Sequence, residues 1–120
     1  AIAPADYFTG DVRQDNMFVA PAPARTASGF ITFEPGARTA WHTHPFGQLL
    51  YILSGEGWVQ TYGEPRRTVR AGDTVWFGPD EKHWHGATSA KAMSHLAITE
   101  TNGGAAADWL GKVSDSDYLG

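Results

Sequence analysis

The feature that most restricts the fold is a succession of short apolar or alternating segments, each closed by a turn signal before it reaches the length of an ordinary helix. They run Phe30 to Glu34, Ala40 to His44, Gln48 to Leu53, Gly57 to Tyr62, Thr68 to Arg70, Asp73 to Phe77, His83 to Thr88 and Met93 to Thr99. Between them stand Pro35-Gly36, Pro45-Phe46-Gly47, Ser54-Gly55, Gly63-Glu64-Pro65, Ala71-Gly72-Asp73 and Gly78-Pro79-Asp80. These residues accept the backbone dihedrals of tight reversals. Strand-length segments at this spacing predict an all-β chain built mostly of antiparallel sheet.

The two ends read differently. Ala1 to Ala24 carries Pro4, Pro21 and Pro23 and no clean period, so it is expected to be an N-terminal arm (1–24) with one strand near Asp11 to Arg13. Asn102-Gly103-Gly104 marks a break. Beyond it, the alanine content of Ala105 to Val113 predicts a short helix within a C-terminal tail (105–120) lying outside the sheet. The 120 residues fit one domain, 1–120.

Composition narrows the chemistry. Hydrophobic residues make up 42% of the chain and include 5 Trp, 6 Phe and 4 Tyr, enough to fill an interior. The formal charge is −4, and the 9 Lys and Arg residues form no stripe that could neutralise a phosphate backbone, so nucleic acid is not an expected partner. No apolar run approaches the roughly 20 residues that cross a bilayer, so no membrane role is expected. The chain opens at Ala1 with no charged-then-apolar leader; a cytoplasmic location is expected, with a cleaved export signal left open. Without cysteine, any metal must be held by nitrogen and oxygen ligands.

Two clusters of such ligands lie about forty positions apart. In the first, Gly36-Ala-Arg-Thr-Ala-Trp-His42-Thr-His44-Pro-Phe-Gly-Gln48, the histidines at i and i+2 share one strand face. Gln48 follows across the Pro45-Phe46-Gly47 bend, where its amide oxygen can supply a third, neutral ligand. The second, Gly72-Asp73-Thr-Val-Trp-Phe-Gly-Pro79-Asp-Glu-Lys-His83-Trp-His85-Gly86, brings a further imidazole at His83. By the same alternation His85 shares the face of His83, and His95 shares a face with Met93, Ala97 and Thr99. His85 is expected to orient a neighbour rather than to ligate. His95 is read both as a hydrogen-bonded core histidine and as a general base facing a cavity.

The first stretch resembles the first cupin motif at Gly36, His42, His44, the fourth-ligand position and Gly55. The second resembles the second cupin motif at Gly72 and His83, with Gly78 where proline is usual and Asp80 where glycine is usual. Gln48 stands where most cupins carry glutamate. The stretches Phe33-Glu34-Pro35-Gly36-Ala37-Arg38-Thr39-Ala40-Trp41-His42-Thr43-His44-Pro45 and Glu81-Lys82-His83-Trp84-His85-Gly86-Ala87 are similar to one group of small bacterial cupins. That group includes manganese-dependent hydroxynitrile lyases and cupins associated with carboxymuconolactone decarboxylases. The similarity extends from Asp6-Tyr7-Phe8-Thr9-Gly10 to Ala107-Asp108-Trp109.

The resemblance implies a cupin barrel, a double-stranded β-helix of jelly-roll type. It also implies one divalent metal ion on His42, His44, Gln48 and His83, manganese first, with Fe, Zn, Ni or Co as other occupants. The implied activity is that of a metal-dependent lyase of hydroxynitrile lyase type, cleaving or forming a small cyanohydrin, with the ion as Lewis acid and His95 as base. His85, Trp84, Ile31, Leu50 and Thr99 are then expected around the metal or the substrate. Decarboxylation or isomerisation of a small oxygenated substrate, Fe(II)-dependent oxygen chemistry, and non-catalytic ligand binding are other uses of such a site. Small cupins pair through sheet edges, and an N-terminal arm leaves an edge to cover, so a homodimer is expected.

Overall fold

A computed structural model describes all 120 residues, Ala1–Gly120. The strands are β1 (Phe8–Thr9), β2 (Val12–Val19), β3 (Thr26–Phe33), β4 (Arg38–Thr39), β5 (His42–Thr43), β6 (Gln48–Thr61), β7 (Arg67–Arg70), β8 (Thr74–Phe77), β9 (His83–Ala87), β10 (Met93–Glu100) and β11 (Asp108–Trp109), followed by the helix α1 (Asp115–Leu119). The main path runs β1-β4-β9-β6-β10-β3-β2, with β7 and β8 also on β6 and with β5 between β9 and β11. No helix is long and apolar enough to cross a membrane.

The long strand β6 turns this ribbon into a nearly closed barrel. Its first part, Gln48–Tyr51, lies between β8 and β10, while Gly57–Val59 lies between β7 and β9. The strand therefore leaves one wall and enters the other. The crossing occurs near Gly55, whose φ of +76° favours glycine and where a Cβ would overlap the Ala92 carbonyl oxygen. A register shift between Ser94 and His95 on β10 accompanies it.

Alternation along the strands fills one end of the barrel with Phe33, Leu50, Ile52, Val59, Val75 and Met93, all at or near zero exposure. Each such side chain contributes roughly 1.5–3 kcal/mol by leaving water. A second apolar cluster, Trp41, Trp84, Val113 and Tyr118, lies where the C-terminal tail docks. There Tyr118 Oη donates to the Ala87 carbonyl at 2.6 Å, and Arg38 Nη2 donates to the Val113 carbonyl and to Asp115 Oδ1, each at 2.8 Å.

Both ends differ from expectation. Ala105 to Val113 is not helical: Ala105 bridges Asn102, and β11 pairs antiparallel with β5. Trp109 stacks on Tyr7 and lies against Phe8 and His42, and such aromatic packing outweighs the few tenths of a kcal/mol per residue that favour alanine in a helix. The helix forms instead at Asp115–Leu119, where Ser114 caps it by accepting from the Asp117 amide. At the other end the strand placed near Asp11 to Arg13 extends over Val12–Val19. Its period is broken by a register shift between Asp15 and Phe18, with Asn16 at φ 50°, which hides the alternation in the sequence. The arm also enters the core through Phe8 and Val12.

Candidate metal centre

Five histidines converge at the open end of the barrel because four separate elements deliver them. His42 lies on β5 directly opposite His83 on β9, and His85 is two residues further along the same face of β9. His44 follows β5 in the turn closed by the Gly47 amide on the His44 carbonyl, and Gln48 opens β6 with Thr99 of β10 opposite it. His95 stands on β10 between Ile31 and Ile52. All five rings and Gln48 are buried.

The hydrogen bonds determine which nitrogen of each ring is free. Nδ1 of His42, His44 and His83 lies 2.8, 2.7 and 2.8 Å from the carbonyls of Ala40, Ala106 and Glu81. A carbonyl only accepts, so each Nδ1 carries the hydrogen and each Nε2 keeps its lone pair. The His44 Nε2 is buried with no partner. The His83 Nε2 faces Gln48 Oε1 at 3.3 Å, so two acceptors point at one another. That contact is repulsive unless a cation lies between them or the amide turns over. Outer bonds from backbone carbonyls to imidazole are the arrangement that orients metal-ligating histidines. The donor set therefore fits a divalent ion.

A three-histidine group whose ligand nitrogens all lie within 4.8 Å of one another comprises His42, His83 and His85. His85 thus stands among the candidate ligand nitrogens as well as beside His95. Its Nδ1 lies 3.1 Å from His95 Nε2, while His85 Nε2 and His95 Nδ1 are buried without partners. One hydrogen is shared between the two rings, and one of the two outer nitrogens is left with a lone pair.

Burial is the first cause of every histidine shift. It pushes His42 and His85 well below the ordinary imidazole value, His83 to about 4 and His95 to about 3, and it lowers His44 as well. The neighbouring rings add to it at His42 and His85, since a second positive charge beside a first is disfavoured. At neutral pH all five are neutral, the state in which imidazole binds a metal or accepts a proton.

A cavity of about 470 Å³ opens onto this cluster. His42, His44, Gln48, His85 and His95 face it, together with Ile31 and Thr99. Leu50 does not: it is wholly buried in the apolar cluster that fills the other end. Trp84 points the opposite way, because residues alternate along β9; its Nε1 donates to Gln60 Oε1 at 2.9 Å and its ring packs on Tyr118. The sequence reading also passed over wall residues that the chain ends bring in, notably Tyr7, Phe8, Met17, Phe18 and Trp109. Tyr7, Phe8 and Trp109 fall in stretches whose similarity was visible without a role attached. Thr39 is a further addition, lining the cavity while its Oγ1 accepts from the His85 amide at 3.2 Å.

A family model described as Cupin domain matches residues 29–99, which include every one of these histidines. The chain belongs to the cupin family. It is 56% identical over 115 residues to an (R)-mandelonitrile lyase of Granulicella tundricola, with 96% of this chain and 88% of that protein covered. Among solved structures, a cupin-like protein from Thermotoga maritima superposes with a TM-score of 0.91 at 38% identity, covering 98% of this chain and 90% of that one. A DMSP lyase from Ruegeria pomeroyi shares the fold, with a TM-score of 0.70 at 18% identity, over 92% of this chain and 55% of that one. A cupin with a three-histidine cluster of this kind points to a divalent metal ion.

Proposed function

We propose that the chain is a metal-dependent hydroxynitrile lyase, splitting a cyanohydrin into a carbonyl compound and hydrogen cyanide and catalysing the reverse addition. The observation that carries this reading is one cavity that joins a lone-pair cluster fit for a cation to a hydrogen-bonded histidine pair with spare nitrogens. The 56% identity to an (R)-mandelonitrile lyase narrows the chemistry to cyanohydrins. His42, His44, Gln48 and His83 would hold the ion, with manganese the first candidate and Fe, Zn, Ni or Co the others. All four ligands are neutral, so the ion, when bound, supplies its full positive charge to stabilise a developing oxygen anion.

The protein's own groups do the rest. Phe8, Ile31 and Trp109 offer an apolar wall for the organic part of the substrate and exclude water from the reacting carbon. The cyanohydrin hydroxyl gives its proton to His95. The bond to the nitrile carbon then breaks, its electron pair leaving on cyanide as the carbonyl forms. Burial holds His95 near 3, so it is unprotonated and ready to accept, yet it retains a proton poorly. Cyanide is the stronger base, and the proton leaves the His85–His95 pair as hydrogen cyanide. Thr39 helps to fix the β9 backbone from which His85 projects.

The test is cyanide release from mandelonitrile by protein reconstituted with Mn(II), beside metal-free protein and the variants His42→Ala and His95→Ala. Loss of release without metal and in both variants, with His95→Ala still binding Mn(II), is the expected result. No release from the metal-loaded protein refutes the proposal. Fe(II)-dependent oxygen uptake in its place would assign the cavity to oxygen chemistry.

A further inference from the structure

Cross-strand register sets the inward-facing residues of β10, β3 and β2 in rows. His95, Ile31 and Gln14 form one row, and Thr99, Ala27 and Val19 form another. Ala97 and Gly29 stand between them, and all of these residues line the cavity. The middle row projects only a methyl group and a hydrogen. On one side of it rise His95 and Ile31, and on the other rises Thr99, with Gln48 opposite. A slot with a flat floor therefore crosses the sheet between the histidine pair and the Gln48 end of the candidate metal centre.

Strand β2 meets this slot with two residues where regular pairing would supply one. Asp15 pairs with Phe30 and Phe18 with Ser28, so Asn16 and Met17 both stand opposite Gly29. A bulge of this kind re-aims a side chain. Asn16 takes up the extra residue at a φ of 50°, which asparagine adopts more readily than most residues. Met17 then lies over Gly29: a Cβ on Gly29 would overlap Met17 Sδ and come within 2.9 Å of Met17 Cε. Gly29 is buried beneath it, although Met17 itself is 59% exposed at the mouth. The bulge and the glycine together put a thioether at the outer end of the slot.

We propose that the slot takes the aromatic ring of an aryl cyanohydrin and that Met17 limits how long that ring system can be. The identity of the substrate rests on the lyase reading above, whereas the slot and its end wall do not. A carbinol carbon held between His95 and Gln48 directs its ring over Ala97 toward Met17. Neighbouring strands are about 4.8 Å apart, so the floor over Ala97 and Gly29 spans roughly 10 Å, and Met17 covers the half over Gly29. The half left open matches a single ring. A second, fused ring would need the volume that Sδ and Cε fill. A methionine sulfur at a ring edge is a favourable contact, so Met17 also holds the single ring that it stops. Its three rotatable bonds let it yield in part, which makes it a bias on size and not a block.

The test uses the fact that Met17 and Met93 are the two methionines of the chain, and that Met93 is buried in the apolar core. Methionine carrying carbon-13 in its methyl group gives one resonance for each. Benzyl alcohol and 2-naphthalenemethanol, unreactive mimics of the organic part, are titrated into the Zn(II)-loaded protein. Both are expected to shift the Met17 methyl and to leave that of Met93 in place. Calorimetric titration of wild type and Met17→Ala then gives the ratio of naphthyl to phenyl affinity. That ratio should rise at least about tenfold in the variant, with unchanged far-UV circular dichroism. The ratio of kcat/KM for 2-naphthaldehyde cyanohydrin and mandelonitrile in the Mn(II) protein should rise with it. A Met17 methyl that stays in place while either alcohol binds overturns the proposal. So does failure of both alcohols to bind, or a selectivity that is the same in Met17→Ala as in wild type. The expected shifts and affinity ratio without any cyanide release would uphold the slot and its end wall and refute the lyase reading instead.

Discussion

Acidifying the metal-free protein should unfold it well above the pH at which carboxylates titrate. His83 and His95 are held at about 4 and about 3 in the folded chain, against 6.5 when unfolded. Below pH 6.5 the unfolded state therefore takes up protons that the native state refuses, so stability is full above 6.5 and falls as pH drops. At pH 5 each of these two histidines costs about 2 kcal/mol relative to pH 8, about 4 kcal/mol together. His42, His44 and His85 shift in the same direction and add to the loss. A domain of this size is stable by only about 5–15 kcal/mol, so the midpoint of unfolding should reach the neighbourhood of pH 5. Urea titrations followed by tryptophan fluorescence in chelator, at half-unit steps from pH 8 to 5, measure it. His95→Phe should reduce the difference between pH 8 and pH 5 by about 2 kcal/mol, whatever it does to stability at pH 8. A metal-free protein equally stable at both pH values would refute the claim that these rings are buried neutral.

Two further perturbations test the frame around the site. Gly55→Ala puts a Cβ into the Ala92 carbonyl at a φ of +76° and should cost about 3 kcal/mol or more, read as a fall of roughly 10 °C or more in the thermal midpoint. Arg38→Met removes the donor to the Val113 carbonyl and the bond to Asp115, at a cost of about 2 kcal/mol. It should free the C-terminal tail, so that limited proteolysis after Lys112 becomes faster while far-UV circular dichroism is kept.

Sequence patterning carries much of the barrel because the side-chain period of a strand is two and strands such as β3, β6, β8 and β10 turn one face to the core. The segments Gln48 to Leu53, Asp73 to Phe77 and Met93 to Thr99 correspond to the first part of β6, to β8 and to β10 within one or two residues. Where a strand carries a bulge, as β2 does between Asp15 and Phe18, the period breaks and so does the prediction. The alanines after Gly104 misled for another reason: helix propensity is a few tenths of a kcal/mol per residue, and the contacts of Trp109 with Tyr7, Phe8 and His42 exceed it.

Strand-length segments and their alternation determined the all-β class and put His42 with His44, and His83 with His85, on shared strand faces, while the two motif stretches carried the resemblance to the cupin family. Alternation also put His95 on one strand face with Met93, Ala97 and Thr99. Only the tertiary structure decided that His85 pairs with His95 and stands within the nitrogen cluster, that Trp84 turns to the C-terminal tail and Leu50 lies in the apolar core instead of the cavity lining, and that the walls of the mouth come from both ends of the chain. Those relations depend on elements far apart in the chain, on the register between β5 and β9 and on the docking of β11. No local period encodes them, since each results from burying surface that belongs to a different segment.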